Sequence, residues 1–300
     1  MPRLGAHMSV AGGLPQAVRR AQAHGCAALQ IFTKPAARWR ALPLAAGEIA
    51  AFRELAAAIG IDPIVAHASY LINVATADAA LYARSVAALE EEIQRAEALG
   101  LSGVVLHPGS RADGDEPAAL AVVAGAVARA LAAPGGGQVT VLLEQTAGQG
   151  QSIGYRFEHL AAILDRLGGD PRVGICLDTC HLFAAGYDLG TEDGYRATFE
   201  RFSSLIGLDR LRLFHLNDSK KPCGSRIDRH GHIGRGWLGL EPFRRLLNDP
   251  RFARLPMIIE TPKSNGAGRQ PDAIDPLDEM NLRTLAGLLQ ADEARGPVPR

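Results

Sequence analysis

Eight short apolar runs recur along the chain, and each meets a polar residue at or near its end. RLGAHM runs through His7, DPIVAH to His67, SGVVLH to His107, VTVLLE to Glu144, VGICLD to Asp178, LRLFHL through His215 and PMIIE to Glu260; the second run, AALQIF, leads into Thr33 and Lys34. Apolar runs of this length are what parallel strands buried on both faces require. Amphipathic stretches between them predict helices over 13–24, 47–59, 77–99, 117–132, 157–167, 194–206, 240–247 and 277–289. Alternation of this kind predicts an α/β protein with right-handed crossovers, an eight-fold (β/α)8 or TIM barrel. Strand C-terminal ends converge on one face of such a barrel, where its chemistry takes place. The residues ending the runs should therefore form a ring of imidazoles and carboxylates.

The chain reads as a single catalytic domain over 1–290 followed by a flexible tail over 291–300. No interdomain linker or low-complexity tract interrupts it. The one long irregular stretch is 217–239, and long loops inside compact barrels are usually functional. A hydrophobic content of 47% can build a full core. No N-terminal apolar segment resembles a leader and no run is long enough to span a bilayer, so a cytoplasmic protein with no membrane partner is expected. Cys26, Cys176, Cys180 and Cys223 form no CxxC pair, which argues against a disulfide or zinc-finger framework.

Net charge is zero, which by itself disfavours a nucleic-acid partner. The distribution changes that picture. The only lysines are Lys34, Lys220, Lys221 and Lys263, all in segments after the second, seventh and eighth strands. Arg38, Arg40, Arg226, Arg229 and Arg235 share those segments, while acid concentrates in helical stretches such as LEEEIQRAEAL. All four lysines should then lie on the catalytic face, making it locally electropositive towards a polyanion.

Within LDTCH, His181 follows the strand-end Asp178 by three residues; the long loop adds Asp228, His230 and His232 in GSRIDRHGHIG. Together with His67, His107, Glu144, His215 and Glu260 this gives nine ligand candidates, with His232 a spectator or a substrate contact. One zinc takes three or four protein ligands, so the set points to two or three ions with a bridging carboxylate. Paired metals suit in-line displacement at phosphorus. A single strand-end histidine is more often structural, but buried Glu144, Asp178 and Glu260 would each need a partner. His24 and His159 read as ordinary structural residues. No GxxxxGK[ST] occurs, Gly148-Gln149-Gly150 does not extend to a GxGxxG, and the GxGxxG string at 234–239 and the GxSxG string at 150–154 lie in irregular stretches and not directly after an apolar run, which excludes dinucleotide, P-loop and serine-hydrolase readings.

The segments GAHMSVAGG, QIFTK, HASYLIN, LHPGS, LEQTAGQG, CLDTCHLFAAGYD and HLNDSKKPCGSRIDRHGHIGRG resemble endonuclease IV, the zinc-dependent apurinic/apyrimidinic endonuclease family, over nearly the whole chain. The resemblance implies three Zn2+ per chain. One ion falls to His67, His107 and the bridging Glu144, the second to Glu144, Asp178, His215 and Glu260, and the third to His181, Asp228 and His230. Glu144 and Glu260 would be the catalytic carboxylates. The implied reaction is hydrolysis of the phosphodiester 5′ to an abasic site in duplex DNA, leaving a 3′-hydroxyl and a 5′-deoxyribose phosphate, with extrusion of the damaged nucleotide. DNA contacts are assigned to His7, Lys34, Arg38, Tyr70, Leu71, Asn73, Lys220 and Arg229, with Tyr70 and Leu71 as the wedge, in a monomeric protein.

Two positions depart from the family pattern. Ala37 stands where an inserting Arg is expected, with Arg38 one place on, and Gln145 follows Glu144 where Asn is usual. The alternative reading is a divalent-metal sugar isomerase or epimerase on a similar barrel. It leaves His181, Asp228, His230 and the Tyr70–Leu71 pair without a role. A catalytically dead DNA-damage binder would have no need of a full ligand set.

Overall fold

The computed structural model describes residues 1–113, 115–133, 137–264 and 274–290. Eight strands pair in parallel and close on themselves: β1 (Arg3–His7), β2 (Ala28–Ile31), β3 (Ile64–His67), β4 (Gly103–Leu106), β5 (Thr140–Glu144), β6 (Val173–Asp178), β7 (Leu211–His215) and β10 (Pro256–Ile259), with β1 between β10 and β2. The eight expected helices form the outer layer as α1 (Leu14–Ala23), α2 (Ala46–Ile59), α3 (Ala79–Leu99), α4 (Glu116–Ala132), α5 (Phe157–Arg166), α7 (Glu192–Leu205), α8 (Glu241–Asn248) and α9 (Pro276–Gly287). Local chemistry sets their limits. Asp78 caps α3 by accepting from the Leu81 amide at 2.8 Å, and Gly100 ends that helix at a φ of 70°, a left-handed conformation that favours glycine.

Two elements lay beyond the hydrophobic pattern. Helix α6 (Thr179–Ala185) follows β6 without a break, and TCHLFAA is too short and too uniformly apolar to show a helical period. Inside the long loop, β8 (Asp218–Ser219) and β9 (His230–Gly231) pair as a two-residue antiparallel hairpin. The expected tail over 291–300 lies outside the described residues, and no described helix is long and apolar enough to cross a membrane.

The core has two layers. Most buried apolar residues pack between the strands and the helices. A smaller cluster fills the barrel interior: Ala28, Val65, Val105, Leu142, Cys176, Leu213 and Ile258, one from each of seven strands. The eighth strand supplies Gly5, paired with Ala28, where a methyl group would overlap the Ala28 carbonyl. Side chains two residues apart on a strand share a face. Two residues beyond these positions stand His7, Gln30, His67, His107, Glu144, Asp178, His215 and Glu260, so the apolar plug is followed on every strand by a polar side chain at the barrel mouth.

Candidate metal centre

Glu144, fully buried at the end of β5, is the hub. Its Oε2 lies 3.3 Å from His67 Nε2 and 2.9 Å from His107 Nε2. The other oxygen, Oε1, lies 3.0 Å from His215 Nδ1 and 3.3 Å from His181 Nδ1. Asp178 and Glu260 complete a second group, since His215 Nδ1 is 3.2 Å from Glu260 Oε2 and 4.0 Å from Asp178 Oδ2.

The DTCH spacing has a structural cause. Asp178 is both the last residue of β6 and the N-cap of α6, its Oδ1 accepting from the His181 amide at 3.0 Å. That cap fixes the first turn, so residue 181 faces the mouth. His181 Nε2 then meets Asp228 Oδ2 at 3.2 Å, and His230 Nε2 meets Asp228 Oδ1 at 3.3 Å and Asp178 Oδ2 at 3.6 Å. All nine ligand candidates thus gather at one face, and five groups present ligand atoms within 4.8 Å of one another: His67–His107–Glu144, Glu144–Asp178–His215–Glu260, Asp178–His181–His230 and, with a cysteine each, Glu144–His215 with Cys176 and Asp228–His230 with Cys180.

The electrostatics fit cation binding. Burial alone would raise the Glu144 carboxyl, but the charges of His107 and His215 and hydrogen bonds from His107 and His181 hold it well below the usual carboxylate range. Burial likewise opposes Asp228, yet the hydrogen bond from His181 and the charges of His181, His230 and His107 bring it down to about 2. Burial lowers His181, and the Asp178 charge with the Asp228 and Glu144 contacts outweighs it and raises the ring well above its ordinary value. The imidazoles respond to clustered negative charge. Among the described residues the ion-pair partners of Glu144, Asp178 and Glu260 are histidines, with no lysine or arginine. Among the described residues His230 Nε2 is buried and makes no hydrogen bond, only ion-pair approaches to Asp228 and Asp178. Buried carboxylates neutralised only by imidazoles, with an imidazole nitrogen left over, are the donor chemistry of a zinc site.

The residues assigned to DNA separate into two groups. Arg38, Tyr70, Lys220 and Arg229 are exposed, Leu71 is half-buried beside them in sequence, and His7 lies at the mouth with Nδ1 3.4 Å from Glu260 Oε1. Tyr70, 66% exposed, sits edge-on to Phe32 and tilted towards His67 at ring-centroid distances of 5.5 and 5.4 Å. Lys34 is a correction. Its side chain is 1% exposed and pairs inward with Glu91 and Glu92 of α3 at 3.3 and 3.6 Å, because the chain turns down against that helix after β2. Lys263 is likewise engaged, at 2.6 Å from both carboxylate oxygens of Asp278. Of the four lysines, only Lys220 and Lys221 are exposed without a described side-chain partner, so the face is less basic than the sequence alone implies. Asn73 uses its amide on protein, donating to the Ser110 carbonyl at 2.9 Å and accepting from the Ser110 amide at 2.9 Å.

Some residues of the site carry no signal of metal chemistry. Asn217 donates to Asp178 Oδ2 at 2.6 Å and accepts from the Glu260 amide at 2.9 Å, bridging two strands. Gln30, fully buried on β2, contacts His7, His215 and Glu260. Its signal was positional, two residues after an inward-facing alanine on the same strand. His232 meets Asn281 Nδ2 at 3.1 Å on the side of α9, and His24 and His159 are held in structural hydrogen bonds.

Comparison with known proteins agrees with this geometry. Residues 18–281 match the family described as xylose isomerase-like TIM barrel. A protein of Chloroflexus aurantiacus named "Probable endonuclease 4" is 48% identical over 98% of this chain and 100% of its own length. Its counterpart in Geobacter sulfurreducens is 47% identical over 96% of this chain and 94% of its own. The crystal structure of endonuclease IV from Thermus thermophilus superposes with a TM-score of 0.83 at 38% identity, covering 96% of this chain and 98% of that one. A D-psicose 3-epimerase structure also superposes, with a TM-score of 0.65 at 15% identity over 95% and 97% of the two chains, a likeness of fold alone.

Proposed function

Because the chain belongs to the endonuclease IV family, we propose that it is a DNA-repair hydrolase that cuts the phosphodiester 5′ to abasic sites in duplex DNA, leaving a 3′-hydroxyl and a 5′-deoxyribose phosphate. The observation that carries this reading is the division of Glu144, one oxygen facing His67 and His107 and the other facing His215 and His181. A carboxylate used on both sides supports adjacent ions sharing it as a bridge. Three zinc ions would be held by His67–His107–Glu144, by Glu144–Asp178–His215–Glu260 and by His181–Asp228–His230. When bound, zinc supplies the Lewis acidity that stabilises charge on the attacking and leaving oxygens of an in-line displacement at phosphorus.

The chain's own groups orient the substrate. A cavity of about 420 Å³ beside the ligands, lined by Tyr70, His107, Ser110, Gln149, Asp228 and Arg229, has the size of a site for a small ligand such as an extruded nucleotide. Tyr70 and Leu71 would fill the gap left in the duplex, offsetting an unstacking cost of a few kcal/mol. Arg38, Lys220 and Arg229 would meet backbone phosphates, and His7 the scissile region. Asn73 would act by holding the turn at Ser110. The protein would work as a cytoplasmic monomer, one domain over 1–290.

Metal analysis paired with incision of a labelled duplex holding one abasic site tests the proposal. About three zinc ions per chain and a single cut giving a polymerase-extendable 3′ end are expected. One ion per chain with turnover of a ketose instead of DNA would overturn it in favour of the epimerase reading. The double change Tyr70→Ala, Leu71→Ala should keep the zinc and lower incision of duplex DNA about tenfold or more, with weaker fluorescence of a base analogue beside the lesion. If both residues only pack the barrel rim, the double variant melts at lower temperature and the fluorescence change stays as in the parent.

A further inference from the structure

We propose that Gln30 is a positioning residue of the metal centre, whose amide oxygen holds the His215 proton on Nε2 while its amide nitrogen braces Glu260. The inference rests on the metal site read above and goes beyond its ligands.

A ligating imidazole must present a bare nitrogen, so its proton has to sit on the other one, and whatever accepts that proton decides the tautomer. Three histidines of this centre hand that task to the backbone. His67 Nδ1 faces the Ala68 carbonyl at 2.7 Å, His181 Nδ1 the Gln145 carbonyl at 2.9 Å and His230 Nδ1 the Glu260 carbonyl at 3.2 Å. Their Nε2 atoms point at Glu144, Asp228 and Asp178. His215 is turned the other way. Its Nδ1 faces Glu144 and Glu260, and its Nε2 lies 2.8 Å from Gln30 Oε1, a side-chain oxygen.

The amide's orientation follows from its neighbours. A carboxylate only accepts, so the Gln30 nitrogen must be the atom that donates to Glu260 Oε1; it also donates to His7 Nδ1 at 2.9 Å. That leaves the oxygen for His215, which must then donate from Nε2. Gln30 is fully buried on β2, a strand that contributes no ligand, so it reaches two ligands of one ion from the ligand-free side of the barrel. A backbone carbonyl cannot be removed by substitution, but this acceptor can.

Gln30→Met keeps the length and volume of the side chain and removes both arms. In zinc competition against a chromophoric chelator, the variant should release one equivalent of zinc at about 10–100-fold higher free zinc than the parent, the usual effect of losing such a support. The metal-free melting temperature should fall, since His215 and Glu260 each lose a buried hydrogen-bond partner, so zinc release is compared at a temperature where parent and variant are both folded. Histidine-selective 15N NMR of the zinc-loaded parent should show the His215 proton on Nε2, a readout that needs no variant. Equal zinc retention by parent and variant, or a His215 proton on Nδ1, overturns the assignment. A parent that binds no zinc at all removes the metal reading itself, which separates the two failures.

Discussion

The candidate ligands at the ends of the barrel strands and those on the loop after β7 are built differently. His67, Glu144, Asp178 and His215 are the last residues of strands whose ladders and apolar plug fix them, and each is at most 2% exposed. Asp228 and His230 ride on the long excursion that leaves β7 and returns at β9, with side chains 39% and 19% exposed. They are held by a few polar ties: the Asp228 amide donates to Gln149 Oε1 at 3.1 Å, and the Lys220 amide to the Arg229 carbonyl at 2.9 Å. Buried Asp218 anchors the loop by accepting from the Ser219, Gly236 and Leu238 amides at 2.7 to 2.9 Å. The strand ends form a site that exists with the fold, whereas the loop pair forms one that local opening can dismantle.

The largest effect should come from the strand side. Glu144→Ala should lose at least one zinc and nearly all incision, because both faces of the centre use this carboxylate. Incision near the parent rate by that variant would show that the bridge is elsewhere. A smaller and more selective effect is expected on the loop. Asp228→Asn should lose one zinc while keeping the other two, with incision reduced and the melting temperature changed little; loss of all zinc together would mean that strand and loop ligands form a single cooperative unit. The smallest effects should separate two lysines. Lys220→Gln should leave stability unchanged and lower the log–log salt slope of DNA affinity by about 0.9. Lys34→Met should leave that slope alone and cost ~3–5 kcal/mol of stability, since it strips the cation from buried Glu92. A reduced salt slope for Lys34→Met would return that residue to the DNA face.

The contrast between these lysines shows where sequence reasoning reached its limit. Both follow a barrel strand and both lie in basic, irregular segments. Whether such a side chain meets solvent or a carboxylate on a neighbouring helix depends on which way the loop turns, and Glu91 and Glu92 lie far away in sequence. Helix α6 escaped for a local reason, because its seven residues continue an apolar run with no change of period. Gln30 escaped because amides carry no signature of metal chemistry; only its place two residues beyond an inward alanine set it apart.

What the sequence determined by itself was the barrel, its strand ends and the identity of the nine candidate ligands. Those follow from continuous apolar runs that end in polar residues and from buried carboxylates that require partners, and both are properties of short segments. Tertiary structure alone decided which oxygen of Glu144 faces which imidazole, that His215 presents Nδ1 where its neighbours present Nε2, and that Lys34 turns away from the mouth. Each of these is set by contacts between strands and helices remote in sequence, and a side chain's direction is fixed only when its partners arrive.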